Sequence, residues 1–304
     1  MANDADCATM PAMAHVPVML DEVLSWLAPR PGMRLVDGTM GAGGHTRALA
    51  QLVAPDGEVL AFDRDPAALA AAECALSGLP VKLVHANFAE LPQVLGQLGL
   101  KSVDGVVLDL GLSSEQLADR ERGFSFDSAG TLDLRFDVTA GEPAWKLLDR
   151  LGERELADLI YRYGEERFSR RIARRIVERR ASGPVRTAEQ LARLVRGCVP
   201  RARGHAIDPA TRTFQALRIA VNDELVSLER ALTCLPNCVA AGGRVAVIGF
   251  HSLEDRLVKT AFRDDARYEV LTRKPLRPSA EEVARNPRSR SAKLRVACLT
   301  GGPP

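Results

Sequence analysis

The sequence predicts an α/β fold, a doubly wound and largely parallel sheet interrupted by an all-helical insertion. Three observations predict it. Short apolar runs ending at Asp37, Asp63, His85 and Asp109 alternate with helix-patterned stretches over the first 110 residues. They show little polar alternation, as expected of strands covered on both faces. A glycine-rich turn, Gly38-Thr39-Met40-Gly41-Ala42-Gly43-Gly44, follows the first run directly. Strand-like runs then disappear between Gly111 and about His205 and resume at Arg244–Gly249, so the helical block sits inside one sheet domain.

The elements follow in order. Asp21–Leu27 is a short amphipathic helix that Pro29 and Pro31-Gly32 end. Leu35-Val36-Asp37 is the first strand, and a helix begins near His45-Thr46. Glu58–Phe62 is the second strand; Asp65 caps the next helix, with Pro66 in its first turn and Gly78 closing it. Val81–His85 is the third strand, Glu90–Leu98 a helix, and Val103–Leu110 holds the fourth strand. Within the insertion, helical spacing picks out Glu155–Tyr163 and Glu166–Arg180, and Thr187-Ala188-Glu189-Gln190 is a capping box opening a third helix. Asp208-Pro209 starts one long helix whose stripe runs from Phe214 to Leu232. After the fifth strand, Ser252 is placed to cap a helix from Leu253 to Phe262, and Tyr268–Leu271 and Leu294–Leu299 are the last two strands. The expected division is a tail at 1–14, a discontinuous sheet domain at 15–112 and 206–304, and a helical basic domain at 113–205.

Composition narrows the function. The chain has 304 residues, 46% of them hydrophobic, enough for one large or two modest cores. Residues 150–220 hold 17 Arg, no Lys and eight acids, a local balance of +9 in a chain whose net charge is +2. Such asymmetry points to a polyanionic partner contacted by one region. Arg170, Arg171, Arg174, Arg175, Arg179 and Arg180 share one helix face, and the loop from Cys198 to Asp208 adds Arg201, Arg203 and His205. The six cysteines form no C-x-x-C pair and no zinc spacing, so no metal is expected and reduced thiols in the cytoplasm are. No apolar run approaches the roughly 20 residues that span a bilayer.

The turn carries the chemistry. Its spacing is Asp-x-x-x-Gly-x-Gly-Gly, not the dinucleotide G-x-G-x-x-G, which disfavours a nicotinamide oxidoreductase. An acid before the turn suits a cationic ligand such as S-adenosylmethionine (SAM), and Asp37 is that acid. Asp63, at the end of the second strand, stands where this fold meets a ribose.

Seven strands, the last two joined without a crossover helix, look like the Rossmann-like fold of class I SAM-dependent methyltransferases. Over about residues 15–300 the chain resembles the bacterial RsmH (MraW) family, which methylates N4 of a cytidine at the decoding centre of 16S ribosomal RNA (rRNA). The resemblance lies in His15-Val16-Pro17-Val18-Met19-Leu20, Asp37-Gly38-Thr39 with Gly43-Gly44-His45, Asp63-Arg64-Asp65, Leu108-Asp109-Leu110-Gly111 and Arg122-Gly123-Phe124-Ser125-Phe126. It continues in Tyr163-Gly164-Glu165-Glu166-Arg167, Pro209–Ala216, Phe250–Arg256 and Asn286-Pro287-Arg288. Two departures, at Met40 and Ala42 and in a short loop before Asn286, fall on the substrate side.

The resemblance implies SAM contacts at Gly43, Gly44, His45, Asp63, Phe88, Asp109 and Gln116. It implies in-line attack of cytosine N4 on the methyl group, with Asp109 as the nearest acceptor for the amino group and a backbone carbonyl as the alternative. Phe124 and Phe126 are candidates to stack an unstacked base, Arg170, Arg171 and Arg174 to contact phosphates, and His251 to touch the base or shape the start of a helix. The expected partner is 16S rRNA within the small subunit, with self-association open. The rival expectation is a ribosome-assembly factor that keeps SAM as a structural ligand.

Overall fold

The computed structural model describes residues 17–200 and 208–300; the tail expected at 1–14, Cys7, Arg201, Arg203 and His205 lie outside the described residues. The chain runs α1 (Leu20–Leu27), β1 (Arg34–Asp37), α2 (Gly44–Val53), β2 (Glu58–Asp63), α3 (Pro66–Ala75), β3 (Val81–His85), α4 (Leu91–Gln97) and β4 (Val103–Asp109). The insertion follows as α5 (Ser114–Ala118), α6 (Ala144–Arg150), α7 (Glu153–Gly164), α8 (Ser169–Arg180), α9 (Ala188–Cys198) and α10 (Thr211–Asn222). Then come α11 (Glu224–Cys238), β5 (Val239–Gly249), α12 (Ser252–Asp264), β6 (Tyr268–Val270), α13 (Ala280–Arg285) and β7 (Lys293–Leu299).

The seven strands form one sheet in the order β3-β2-β1-β4-β5-β7-β6. The first five are parallel, and β7 runs antiparallel between β5 and β6. Successive strand residues point to opposite faces, and both faces are packed. Val36, Leu60, Phe62, Val106, Leu108 and Val247 meet α4, α11 and α12. Leu35, Val59, Val107, Ala246 and Ile248 meet α1 and α2 on the other side. Burial on both sides is the physical reason the strands read as unbroken apolar runs, each large side chain contributing roughly 1.5–3 kcal/mol.

The insertion has its own core, built from α6, α7, α8 and α9 with Phe124, Leu132 and Leu134 from the preceding loop. Ala210, Phe214 and Leu217 also lie in it, so that core reaches past residue 205 into α10.

Two expected elements differ. The single helix from Asp208 to Leu232 is two, broken at Asp223, whose φ of 50° is left-handed. Buried Asn222 stops α10: its Nδ2 donates to Leu134 O at 2.7 Å and its Oδ1 accepts Phe136 N–H at 2.8 Å. The cap of α12 is His251 and not Ser252; His251 Nδ1 accepts Glu254 N–H at 3.3 Å.

Candidate active site

Strand order reverses between β1 and β4, and the carboxyl ends of β1, β2 and β4 open there into a cleft of about 1200 Å³, its mouth included. This switch point is where open α/β sheets bind ligands.

The glycine turn forms its wall. Asp37 does not line the cleft and is 1% exposed. Its Oδ1 accepts Thr39 N–H at 3.1 Å and its Oδ2 accepts the Thr46 hydroxyl at 2.6 Å, so it ties the strand end to α2. The expected cation-facing acid is therefore a strut. Burial pushes its carboxyl up to about 6, against these hydrogen bonds. Gly43, also expected on the ligand, is absent from the cleft lining; its φ is 78°, and a Cβ there would press on Leu76. Gly44 does line the cleft, and a Cβ on it would stand 2.5 Å from Pro17 Cγ. Only glycine lets the Pro17-Val18 segment close the wall.

Asp63 lines the cleft and organises its other side. Its Oδ2 accepts Gly41 N–H and its Oδ1 accepts Asp65 N–H, each at 2.8 Å. Burial, with Asp65 and Asp37 nearby, raises its carboxyl to about 6 although both hydrogen bonds oppose this. His45 is buried; its Nε2 lies 3.1 Å from Val18 O, so that nitrogen carries a proton, and its Nδ1 lies 3.7 Å from Asp109 Oδ2.

Asp109 stands at the cleft floor, its N–H donating to Thr39 Oγ1 at 2.6 Å. Its Oδ1 is fully enclosed and has no hydrogen-bond partner. Burial, then Asp37, Glu254 and Glu282, hold its carboxyl well above the usual range. Phe88 lines the cleft beside Asn87, whose Nδ2 donates to Ser227 Oγ on α11 at 2.8 Å. Gln116 also lines it, fixed by a capping box with Ser113 and by a 3.4 Å contact to Asp65.

The expected RNA residues fare differently. Phe124 is 5% exposed and stacked on Phe136, with ring centroids 6.2 Å apart; Phe126 packs edge-on against Phe214. Neither lines the cleft, because the helical core claims both. His251 is likewise absent from the lining, its Nε2 3.2 Å from Glu254 Oε1. Arg170, Arg171 and Arg174 are exposed on α8 and do not reach the cleft; Arg174 Nε leans on Glu153 at 3.4 Å. Arg180 is not free for phosphate: it donates to the carbonyls of Leu148 and Leu151.

Other lining residues were missed. Phe136, Phe250, Asn286 and Arg288 come from segments between the main helices and strands whose destination local periodicity does not encode, and Glu254 from the first turn of α12. Glu254 had a signal, as the acid three residues beyond the cap of α12. Burial opposes its charge, yet His251, Arg218 and the Phe250 N–H hold it below the usual range. Arg122 was missed too. It donates to Asp65 Oδ2 and Asp119 Oδ2, both at 2.6 Å, pinning the insertion to the cap of α3.

Residues 12–299 match the model of the MraW methylase family. The chain belongs to that family. Among curated proteins, "Ribosomal RNA small subunit methyltransferase H" of Rhodopirellula baltica is 54% identical over 93% of this chain and 90% of its own. The protein of that name from Sorangium cellulosum is 51% identical over 95% and 91%. A solved rRNA methylase from Streptococcus thermophilus aligns over 93% of this chain and 94% of its own, with 12% identity and a TM-score of 0.44. That likeness is slight, and the family assignment stands on the sequence matches.

A methylase of this family draws its methyl group from SAM, and SAM is the cofactor of this chain. The cleft fits it. Burial and neighbouring acids raise the carboxyls of Asp63 and Asp109 and so disfavour their charged forms, and Asp109 Oδ1 has no protein donor. A ligand carrying an ammonium, a sulfonium and sugar hydroxyls supplies what these groups lack. No described helix is long and apolar enough to cross a membrane.

Proposed function

We propose that the chain methylates N4 of one cytidine in the decoding region of 16S rRNA, acting in the cytoplasm on the small ribosomal subunit. The observation that carries this reading is the acid-floored cleft at the switch point, walled by the aromatics Phe88, Phe136 and Phe250. The names of the curated relatives support the rRNA substrate, and the motifs over residues 15–300 support the cytidine N4 target.

SAM, when bound, supplies an electrophilic methyl carbon on its sulfonium. The chain would hold it with Asp63 toward the ribose hydroxyls, Gly44 and His45 at the turn, Phe88 and Gln116 on the flanking walls, and Asp109 at the floor. Gly43 contributes the turn's left-handed geometry. Cytosine N4 is a poor nucleophile because its lone pair is delocalised into the ring, so alignment and water exclusion are the main tasks left to the protein. Positioning of this kind supplies roughly 7–11 kcal/mol. Asp109 would be the acceptor at the reacting end, since it lines the cleft and its Oδ1 has no hydrogen-bond partner within the protein. Phe136 takes the stacking role expected of Phe124 and Phe126, with Phe124 stacked against it.

The test is methyl transfer from labelled SAM to small subunits from cells lacking the protein, with naked rRNA and DNA alongside and nucleoside mass spectrometry of the product. N4-methylcytidine from the subunits alone is expected. Bound SAM with no product on any substrate would replace this reading with that of an assembly factor.

A further inference from the structure

The segment between β6 and β7, residues 271–292, is a strap that reaches the cleft through Asn286 and Arg288. It is pinned along its length. Leu271 N–H and Thr272 N–H donate to Val296 O at 3.0 and 3.2 Å, and Leu276 exchanges two backbone hydrogen bonds with Leu294. In α13, Glu282 accepts Met19 N–H at 2.7 Å in a buried contact. Beyond α13, Asn286 and Arg288 line the cleft, Arg288 donates to the Ser114 hydroxyl, and Ser289 is fully buried.

On this frame the cations point outward. Arg273, Lys274, Arg277, Arg285, Arg288 and Arg290 are all exposed. Among the described residues none of the six is in an ion pair, and the only acids between positions 273 and 290 are Glu281 and buried Glu282. The α8 face differs in place: Arg174 and Arg175 have carboxylate partners there while Arg170 and Arg171 are in no ion pair among the described residues, and no α8 residue lines the cleft.

A base entering the cleft brings its flanking phosphates to the rim, where Arg288 stands, and the strap that carries Arg288 holds five more exposed cations. We propose that the strap is the surface that grips the single-stranded RNA backbone on either side of the target nucleotide. The inference rests on the rRNA reading above and names where the substrate is held. A frame pinned at both ends and in the middle presents its charges without the ordering cost a mobile loop would meet on binding. The α8 arginines are left as a more distant contact.

The experiment compares two triple variants with the wild-type protein: Arg273→Ala, Lys274→Ala, Arg277→Ala on the strap, and Arg170→Ala, Arg171→Ala, Arg174→Ala on α8. Binding to small subunits lacking the modification is measured across a salt series, with SAM affinity and the thermal midpoint read in parallel. The strap variant is expected to bind subunits at least tenfold more weakly. Three lost phosphate contacts on a single strand should lower the slope of log K against log salt by about 2. Lysine at all three positions should restore both quantities, which a folding defect would not allow. Wild-type slope and affinity in the strap variant, with the loss in the α8 variant, would overturn the proposal and leave the rRNA reading standing. Wild-type protein that binds neither subunits nor rRNA would overturn both.

Discussion

Replacing Asp63 by Asn should separate ligand binding from folding. The carboxylate has two jobs in the free protein, accepting Gly41 N–H and Asp65 N–H. Asn offers one acceptor oxygen, so one of these donors faces an amide NH₂ and is left unmet, at about 1–3 kcal/mol. Against this stands the ionisation penalty. A carboxyl raised from 3.8 to about 6 by burial favours its neutral form in the folded state. Its stabilising share is complete below pH 3.8 and is lost as pH rises through 6. At pH 7 the fold therefore carries a penalty on the order of 3 kcal/mol for the ionised group, which Asn removes. The two terms nearly cancel, and the melting temperature at pH 7 should stay within a few degrees of wild type. Binding gains no such relief. Losing charge-assisted hydrogen bonds of about 1.5–3 kcal/mol should weaken SAM roughly 10- to 150-fold. Calorimetric titration with SAM and a thermal melt decide it. SAM affinity within threefold of wild type would remove Asp63 from the ligand; a large loss of stability at pH 7 would show that the penalty had been overstated.

The same raised carboxyls predict proton release: SAM should bind more tightly as pH climbs through about 6 and level off above it. Titrations in two buffers of different ionisation heat would detect this, and a pH-independent affinity between 5 and 8 would contradict it. Asn222→Ala strands the Phe136 N–H and the Leu134 carbonyl in the interior, so urea unfolding should show a loss of about 2–5 kcal/mol. SAM affinity should fall with it because Phe136 walls the cleft. Gly44→Ala forces Pro17 aside while adding helix propensity worth up to about 1 kcal/mol; the expected result is near-native melting with at least tenfold weaker SAM binding. Asp109→Ala should retain the fold, since burial disfavours the carboxylate it removes, yet abolish methyl transfer; unchanged turnover would take Asp109 out of the site.

What could be read from the sequence was what is decided locally. Strands buried on both faces announce themselves as unbroken apolar runs, and Asp65-Pro66 marks the start of α3 with no help from tertiary structure. Asp63 was legible because the carboxyl end of a strand beside the switch point borders the ligand cleft. Asp37 sits equally at a strand end, but whether its carboxylate faces the ligand or Thr46 depends on the turn's path. The break after Asn222 is set by Leu134 and Phe136, 88 and 86 residues away, so helical spacing ran straight through it. Phe124 and Phe136 carry the same side chain in the same loop. Which one faces the cleft is settled by how that loop folds onto α6 to α9, and single-residue chemistry holds no trace of it. The charge run on α8 was plain, whereas the strap's cations gained weight only when Arg288 was found on the cleft wall.

The hydrogen bond between Met19 and Glu282 joins positions 263 residues apart, and Pro17 and Val18 share their cleft with Asn286 and Arg288. Translation delivers these two walls at opposite ends of synthesis. A nascent chain can pair β1 with β2 and β4 and shape the glycine turn long before the strap leaves the exit tunnel. Until then the turn faces water, with Met19's amide uncapped. The wall that Asn286 and Arg288 supply is thus the last part of the cleft to be synthesised, after every residue assigned to the methyl donor.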